Sequence, residues 1–176
     1  MQTLTRSISF TVPAAPERVF PLLCPILEYR WLVNWRCDLL HSTSGVAEED
    51  CVFRTTLPSG NPMTWVVSRY EPPTRIEFTC FDPAACAFRL KVALAAEGDS
   101  TRLDWTHRWL SVGPAGDAWI ARWSEPEHQK NMDFLRRALT HYLATGEMFQ
   151  PLPSASSPAN TGSPARPCFI TTGLAS

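Results

Sequence analysis

The sequence predicts an α+β domain in which a strongly curved antiparallel sheet of seven strands packs around one long C-terminal helix. Three observations support this fold class. Seven segments alternate apolar and polar residues, as half-buried strands do. Connections of a few residues join the last six segments, which is typical of an antiparallel meander. A long amphipathic segment follows them and can cover the apolar face of the sheet.

The first elements are a strand over residues 3–12, which stops before Pro13, and two short helices. We expect two helices rather than one because Pro21 and Pro25 interrupt the segment APERVFPLLCPILEYRW, and an interior proline breaks a helix. Six further strands follow, bounded by turn residues. They are predicted over 35–42, 50–57, 62–70, 74–81, 85–96 and 102–112.

The C-terminal helix is predicted over about residues 125–144. Ser124 and Glu127 have the spacing of a capping box, and Gly146 stands where a helix commonly ends. Trp119, Ile120 and Trp123 are expected to add a turn upstream. The pattern places His128 and His141 on the solvent side. The apolar stripe that faces the sheet consists of Met132, Leu135, Leu139, Tyr142 and Leu143.

One domain is expected over residues 1–149, because a chain of 176 residues with 44% hydrophobic content can bury one core. Residues 150–176 are rich in proline and serine and carry a single charged side chain, Arg166. Such a stretch cannot bury enough apolar surface to order itself, so we expect a disordered or loosely docked tail. The only segment of this tail expected to adhere to the domain consists of Cys168, Phe169 and Ile170.

Charge and composition exclude several classes of partner. A net charge of -1 gives no basic surface for nucleic acid or an anionic membrane. No apolar run approaches the roughly 20 residues of a membrane-spanning helix, and the N-terminus MQTLTRSISF has no apolar signal-peptide core. We therefore expect a cytoplasmic protein without nucleic-acid partner or integral membrane segment.

The six cysteines are scattered without a CxxC pair, which fits small buried residues in a reducing compartment. Cys37 and His41 come nearest to a pair of metal ligands. On a strand they would lie about 13 Å apart, too far to share one ion. No phosphate-cradling glycine loop and no generic catalytic motif is present. The sequence therefore predicts no metal and no cofactor.

His107 is the most informative residue of the chain. In RLDWTHRWLSV it shares the apolar face of a strand with Leu103, Trp105 and Trp109, while polar and charged residues occupy the other face. It is either a buried neutral imidazole bonded to a backbone group, or a cavity group that orients a ligand or moves a proton. The sequence leaves both alternatives open.

The aromatic residues that strand alternation turns inward favour a pocket, because a curved sheet cannot touch a helix everywhere. Tyr142, near the end of the helix, is the expected polar counterpart of His107. The candidate ligand-binding residues are Trp65, Phe78, Phe88, Trp105, His107, Trp109, Leu135, Leu139 and Tyr142.

The segment EYRWLVNWRCD joins the short helices to the second strand, and the family resemblance described in the next paragraph implies that the mouth of a cavity lies there. Its candidate mouth residues are Tyr29, Trp31 and Trp35, with Glu28 and Asp38 as nearby carboxylates. The alternative is a solvated connection that its tryptophans pin to the domain.

Three stretches, FTVPAAPERVF, WVVSRYEPPTRIEF and LTHYLATGEMF, resemble the SRPBCC (START-like, Bet v 1-like) superfamily. The resemblance covers about residues 3–149 and is closest to small bacterial polyketide-cyclase-like members. It implies a helix-grip fold with an apolar cavity between the sheet and the C-terminal helix. Members bind lipids, sterols, polyketides or plant hormones; some are aromatases, cyclases or dehydratases, and others are co-chaperones.

The leading functional expectation is a binding protein for a small apolar molecule, lipid- or polyketide-like. One alternative is a cyclase, aromatase or dehydratase that uses His107 as general acid and base. The absence of an evident carboxylate–histidine pair weakens it, because one titratable group rarely runs an acid–base pathway alone. Another alternative is a co-chaperone-like module that uses the outer face of the sheet. The natural ligand stays open, as does the choice between monomer and homodimer.

Overall fold

The computed structural model describes residues 1–33, 35–56, 62–82, 85–121 and 125–151. Nearly all of the predicted tail lies outside these residues. So do Trp123 of the predicted extra turn and Ser124 of the predicted capping box.

Within the described residues, seven strands form one antiparallel sheet in the order β1-β7-β6-β5-β4-β3-β2. The predicted strand number and pairing direction are confirmed. Strands β2 to β7 form a meander of sequential neighbours, and β1 pairs with β7. The strands are β1 (Thr3–Val12), β2 (Cys37–His41), β3 (Val52–Thr56), β4 (Pro62–Glu71), β5 (Arg75–Asp82), β6 (Cys86–Glu97) and β7 (Ser100–Ser111).

Side-chain alternation decides which face of the sheet is covered. In β7 every second residue from Thr101 to Ser111 is buried, and the residues between them are exposed or partly exposed. The same period continues across β6 and β5. Because successive side chains of a strand point to opposite faces, this pattern gives one inner face packed on the core and one outer face in solvent.

The segment after β1 is broken into short helical pieces, as the prolines predict. Helix α1 spans Pro16–Val19, and turns of 3-10 helix follow at Phe20–Leu23 and Glu28–Arg30. Pro21 stands in the first of these turns and Pro25 between the two. Neither residue can donate the backbone hydrogen bond that would continue a helix. The result is an irregular cover over one part of the sheet.

Two helices follow β7: α2 (Pro114–Ala121) and α3 (Glu125–Thr145). The predicted long helix is confirmed. Its end has the expected glycine: Gly146 has φ 74° and donates its backbone N–H to the carbonyl of Tyr142 at 2.7 Å. Glycine adopts this left-handed conformation without the steric penalty that a Cβ would bring.

The direction of α3 follows from contacts at its two ends. Arg6 of β1 lies 3.0 Å from Glu125, at the start of the helix. At the other end, Arg18 of α1 donates to the carbonyl of Leu143 at 3.5 Å. Helix α3 therefore runs along β1 from the level of Arg6 toward the C-terminal end of that strand. Since Arg6 is paired with His107 in the sheet, α3 begins close to the level of His107.

Across the residues described, none of the helices combines the length and the apolar character needed to cross a lipid bilayer.

Candidate ligand-binding site

His107 lies on the inner face of the sheet, between Trp105 and Trp109, and only 4% of it is exposed. Its ring stacks against Phe88 at 5.7 Å and against Trp109 at 5.5 Å between centroids. Its hydrogen-bond partner is a side chain: Nδ1 lies 3.0 Å from Nε2 of His128. The two imidazoles meet edge to face.

The prediction that His128 lies on the solvent side is wrong, since only 1% of His128 is exposed. The apolar stripe of α3 that starts at Met132 continues back by one turn, and His128 and Asn131 occupy that turn. Residues three and four apart share a helix face whether they are polar or apolar. The four-residue spacing of His128 from Met132 and of Asn131 from Leu135 therefore indicated that both polar side chains are buried. A search restricted to apolar residues missed this.

His141, also predicted on the solvent side, is partly exposed and packs against the ring of Phe149 at 5.6 Å.

Burial keeps both histidines of the pair neutral. It lowers the pKa of His107 to about 3, with a smaller contribution from His128. Burial likewise lowers the pKa of His128, while Glu125 opposes that shift. A neutral imidazole has one N–H and one acceptor nitrogen. One ring therefore donates to the other, and the choice of tautomer fixes the roles of the outer nitrogens.

Three buried nitrogens around this pair have no hydrogen-bond partner among the described residues. They are Nε1 of Trp105, Nδ1 of His128 and Nδ2 of Asn131. Each residue is at most 4% exposed. Buried polar groups without partners are uncommon in native structures and call for a specific explanation.

A second buried polar group, the Glu28 carboxyl, faces a small cavity. Glu28 is 5% exposed, although its sequence position suggested a carboxylate near a solvent-facing mouth. No described residue forms a hydrogen bond with this carboxyl, and burial raises its pKa well above the usual range. The cavity has a volume of about 20 Å³ and is lined by Pro25, Glu28, Trp35, Phe53, Trp65, Phe78 and Leu90.

The three predicted mouth residues form hydrogen bonds within the covering segment, which is the stretch Leu22–Cys37 between α1 and β2. Trp31 and Trp35 are buried, and their indole N–H groups donate to the carbonyls of Leu22 at 2.9 Å and Pro25 at 2.7 Å. Tyr29 is exposed; its hydroxyl bonds both the N–H and the carbonyl of Cys37 at 2.8 Å. The burial of both tryptophans is compatible with the tryptophan-pinned connection that the sequence allowed. Trp35 also lines the cavity.

The remaining predicted ligand-binding residues fall into separate places. Trp65 and Phe78 line the cavity beside Glu28. Phe88, Trp105 and Trp109 surround His107. Leu135 and Leu139 lie on the buried face of α3, in the hydrophobic core.

Tyr142 lies apart from His107, in an open groove of about 370 Å³. The groove runs between the α1 segment and the C-terminal end of α3 and is lined by Glu17, Arg18, Pro21, Leu22, Tyr142, Leu143 and Gly146.

Sequence reasoning did not include Phe53 and Leu90 in the site, and it named Glu28 only as a carboxylate near the mouth. Phe53 and Leu90 have the inward parity of their strands, so alternation was sufficient to find them. Glu28 carried no such signal, because it lies in an irregular turn where no period tells which side faces the core.

Comparisons with known proteins agree with this architecture. The family model described as "Polyketide cyclase / dehydrase and lipid transport" matches residues 1–140. The chain belongs to this family. The expected SRPBCC, Bet v 1-like superfamily is thereby confirmed. No curated protein matches the chain significantly.

Three solved structures illustrate the shared fold. Ara h 8.0201 has a TM-score of 0.58 at 13% identity, covering 82% of this chain and 99% of that one. A protein from Rhodobacter sphaeroides has a TM-score of 0.59 at 19% identity, covering 83% and 100%. DynU16, from the dynemicin biosynthetic locus, has a TM-score of 0.54 at 18% identity, covering 81% of this chain. The chain spans about half the length of DynU16, covering 48% of it. At these identities the likeness shows the fold alone.

Proposed function

We propose that this protein binds a small apolar or aromatic molecule, lipid- or polyketide-like, in its interior beside Glu28. One observation carries the proposal: a buried carboxyl without a partner among the described residues faces a cavity otherwise lined by apolar and aromatic side chains. An unmatched buried polar group costs about 1–3 kcal/mol. A ligand that brings a polar atom to Glu28 offsets this cost, and the rings supply apolar contact. The family description also supports the proposal.

Binding requires the cavity to widen, because about 20 Å³ accommodates little more than one water molecule. The covering segment carries two of the residues that such widening displaces, Glu28 and Trp35. Its tryptophan and tyrosine side chains bond to backbone groups within the stretch Leu22–Cys37 itself. Displacement of Glu28 and Trp35 from the sheet therefore keeps these hydrogen bonds, but it works against the bond from the Ala47 N–H to Cys24 Sγ at 3.1 Å and the pairing of Cys37 with Thr55.

The matched probes p-cresol and p-xylene, which differ by a hydroxyl in place of a methyl group, test this proposal by calorimetry. We expect the protein to bind both and to prefer p-cresol by about fivefold, the value of one net hydrogen bond. Glu28→Leu should retain p-xylene binding and lose the preference. Glu147→Gln, at an exposed carboxylate, is the matched control. Absence of binding, or an unchanged preference in Glu28→Leu, would contradict the proposal.

A second candidate is a cyclase- or dehydratase-type reaction with His107 as acid and base, favoured by the hydrogen bond between His107 and His128. The pKa of about 3 argues against it. At pH 7 only on the order of one His107 in ten thousand is protonated, and an efficient general base has a pKa near the working pH. Binding is therefore the leading proposal.

A linear poly-β-ketothioester tests this second candidate. Aldol ring closure followed by dehydration releases one water, which mass spectrometry detects as the corresponding loss of mass. Catalysis through the pair requires turnover above the protein-free rate, with loss of that excess in His107→Phe. A rate that His107→Phe leaves unchanged would remove the candidate.

A cytoplasmic location is part of the proposal. Its support is the absence of disulfide pairing among the described cysteines, Cys24, Cys37, Cys51, Cys80 and Cys86, which are all free. Free thiols are typical of a reducing compartment. Thiol titration of protein unfolded anaerobically straight from its cells should find all six cysteines of the chain reduced.

A further inference from the structure

The unmatched nitrogens of Trp105, His128 and Asn131 occupy one region under the first turns of α3. The rings of Trp105 and His107 are 6.2 Å apart, and those of His107 and His128 are 5.1 Å apart. Asn131 follows His128 by three residues on the buried face of the helix. Contacts and helix geometry therefore join the four residues in one cluster.

The direction of α3 places Asn131 beside Trp105. The helix starts near the level of His107 and runs along β1, hence opposite to β7. From His128 to Asn131 the helix advances about 4.5 Å. From His107 to Trp105 the strand moves about 6.6 Å in the same direction. Asn131 of α3 and Trp105 of β7 are therefore displaced from the histidine pair in the same direction, on elements that face each other.

The hydrogen-bonding chemistry of these nitrogens indicates which kind of ligand atom they can bind. An indole N–H can only donate, and Nδ2 of an asparagine amide also donates. When His107 donates to His128, Nδ1 of His128 carries a proton and becomes a third donor. The region thus presents donors that lack acceptors among the described residues. An ionised ligand would lose its hydration there, so a neutral acceptor oxygen suits the region better.

We propose that the interior ligand carries a neutral carbonyl oxygen, which the side chains of Trp105 and Asn131 bind, joined by His128 in the tautomer in which His107 donates to it. This inference rests on the proposed function and names a second contact point of the same interior site. The two places adjoin, because Leu90, which lines the cavity beside Glu28, is paired directly with His107 in the sheet. The ligand is then an apolar body with a carbonyl at one end and another polar group toward Glu28.

Acetophenone and its isostere α-methylstyrene, in which a methylene replaces the carbonyl oxygen, test the inference by ¹H–¹⁵N spectroscopy of the whole chain. With acetophenone, the Nε1–H signal of Trp105 and the side-chain amide signal of Asn131 should shift downfield. With α-methylstyrene they should not. The indole of Trp31, already bonded to the carbonyl of Leu22 at 2.9 Å and not part of the cavity lining, is the internal control and should show no such shift.

Trp105→Phe keeps the ring and removes the donor, so it should lower the preference for acetophenone by about fivefold. It should leave the preference for p-cresol over p-xylene unchanged. If Trp105→Phe does not fold, the spectra of the unaltered protein decide. Binding of p-cresol without downfield shifts from acetophenone would overturn this inference and leave the proposed function standing. Failure of both p-cresol and p-xylene to bind would overturn the proposed function itself.

Discussion

Glu28 and His107 are both polar, both on the inner side of the domain and about equally buried, at 5% and 4% exposed. They differ in their partners. His107 bonds to His128 at 3.0 Å, whereas no described residue bonds to the Glu28 carboxyl. Burial favours the neutral form of each, so it raises the pKa of the acid and lowers the pKa of the base.

This comparison separates two reasons for burying a polar group. Two neutral imidazoles match each other inside a core, and their hydrogen bond offsets part of the desolvation. A lone carboxyl surrounded by aromatic rings has no such compensation within the described residues. The fold accounts for the central bond of the histidine pair, whereas it provides no partner for Glu28 among the described residues, and the proposed ligand would supply one.

Breaking the histidine pair should have the largest effect. His107→Phe retains the stacking bulk between Trp105 and Trp109 and leaves Nε2 of His128 buried without its partner. We expect the free energy of unfolding at pH 7.5 to fall by up to about 3 kcal/mol. Urea unfolding measures it. The double variant with His128→Phe should lose less than the two single variants combined. Strict additivity would show that the pair contributes no interaction energy.

Lowering the pH should destabilise the native protein more than it destabilises the His107→Phe variant. The pKa of His107 is about 3 in the folded protein, against about 6.5 when unfolded. Its stabilising effect is present above pH 6.5 and is lost as the pH falls toward 3. Between pH 6.5 and 4.5 the native protein should lose about 2 kcal/mol relative to the variant. Parallel pH profiles in urea titrations would contradict a buried neutral His107.

Removal of the Glu28 carboxyl should stabilise the protein. The folded pKa of Glu28 is raised, so its stabilising effect is complete below the unfolded pKa and is lost as the pH rises. Glu28→Leu should therefore gain about 1 kcal/mol at pH 8, by removing a buried unmatched group, and less at pH 5. Thermal unfolding at both pH values measures this, with Glu147→Gln as the control. A loss of stability at pH 8 would indicate that the carboxyl has a stabilising partner.

The smallest effect is expected at Tyr142. Its side chain lines the open groove at the C-terminal end of α3, away from His128. Tyr142→Phe should change the free energy of unfolding by less than about 0.5 kcal/mol. Its affinity for p-cresol should equal that of the unaltered protein. Weaker p-cresol binding would restore the role that the sequence suggested, orientation of the ligand together with His107.

Local patterns were sufficient for the strands, for α3 and for the inward side of His107. A period of two residues assigns strand faces, and the three- and four-residue steps from Met132 to Leu139 mark the buried side of the helix. The same steps extend back to His128. The burial of this histidine was therefore open to prediction, although its bond to His107 was not.

By itself the sequence determined the architecture, because alternation, prolines and the glycine after α3 act through neighbouring residues of the chain. Tertiary structure alone decided which distant side chains meet. It joined His107 to His128 across 21 positions, turned Glu28 inward and placed Tyr142 in a groove apart from His107. The physical reason is that a period fixes the direction of a side chain within its own element. The partner it reaches depends on where the packing of sheet, helix and covering segment places the other elements.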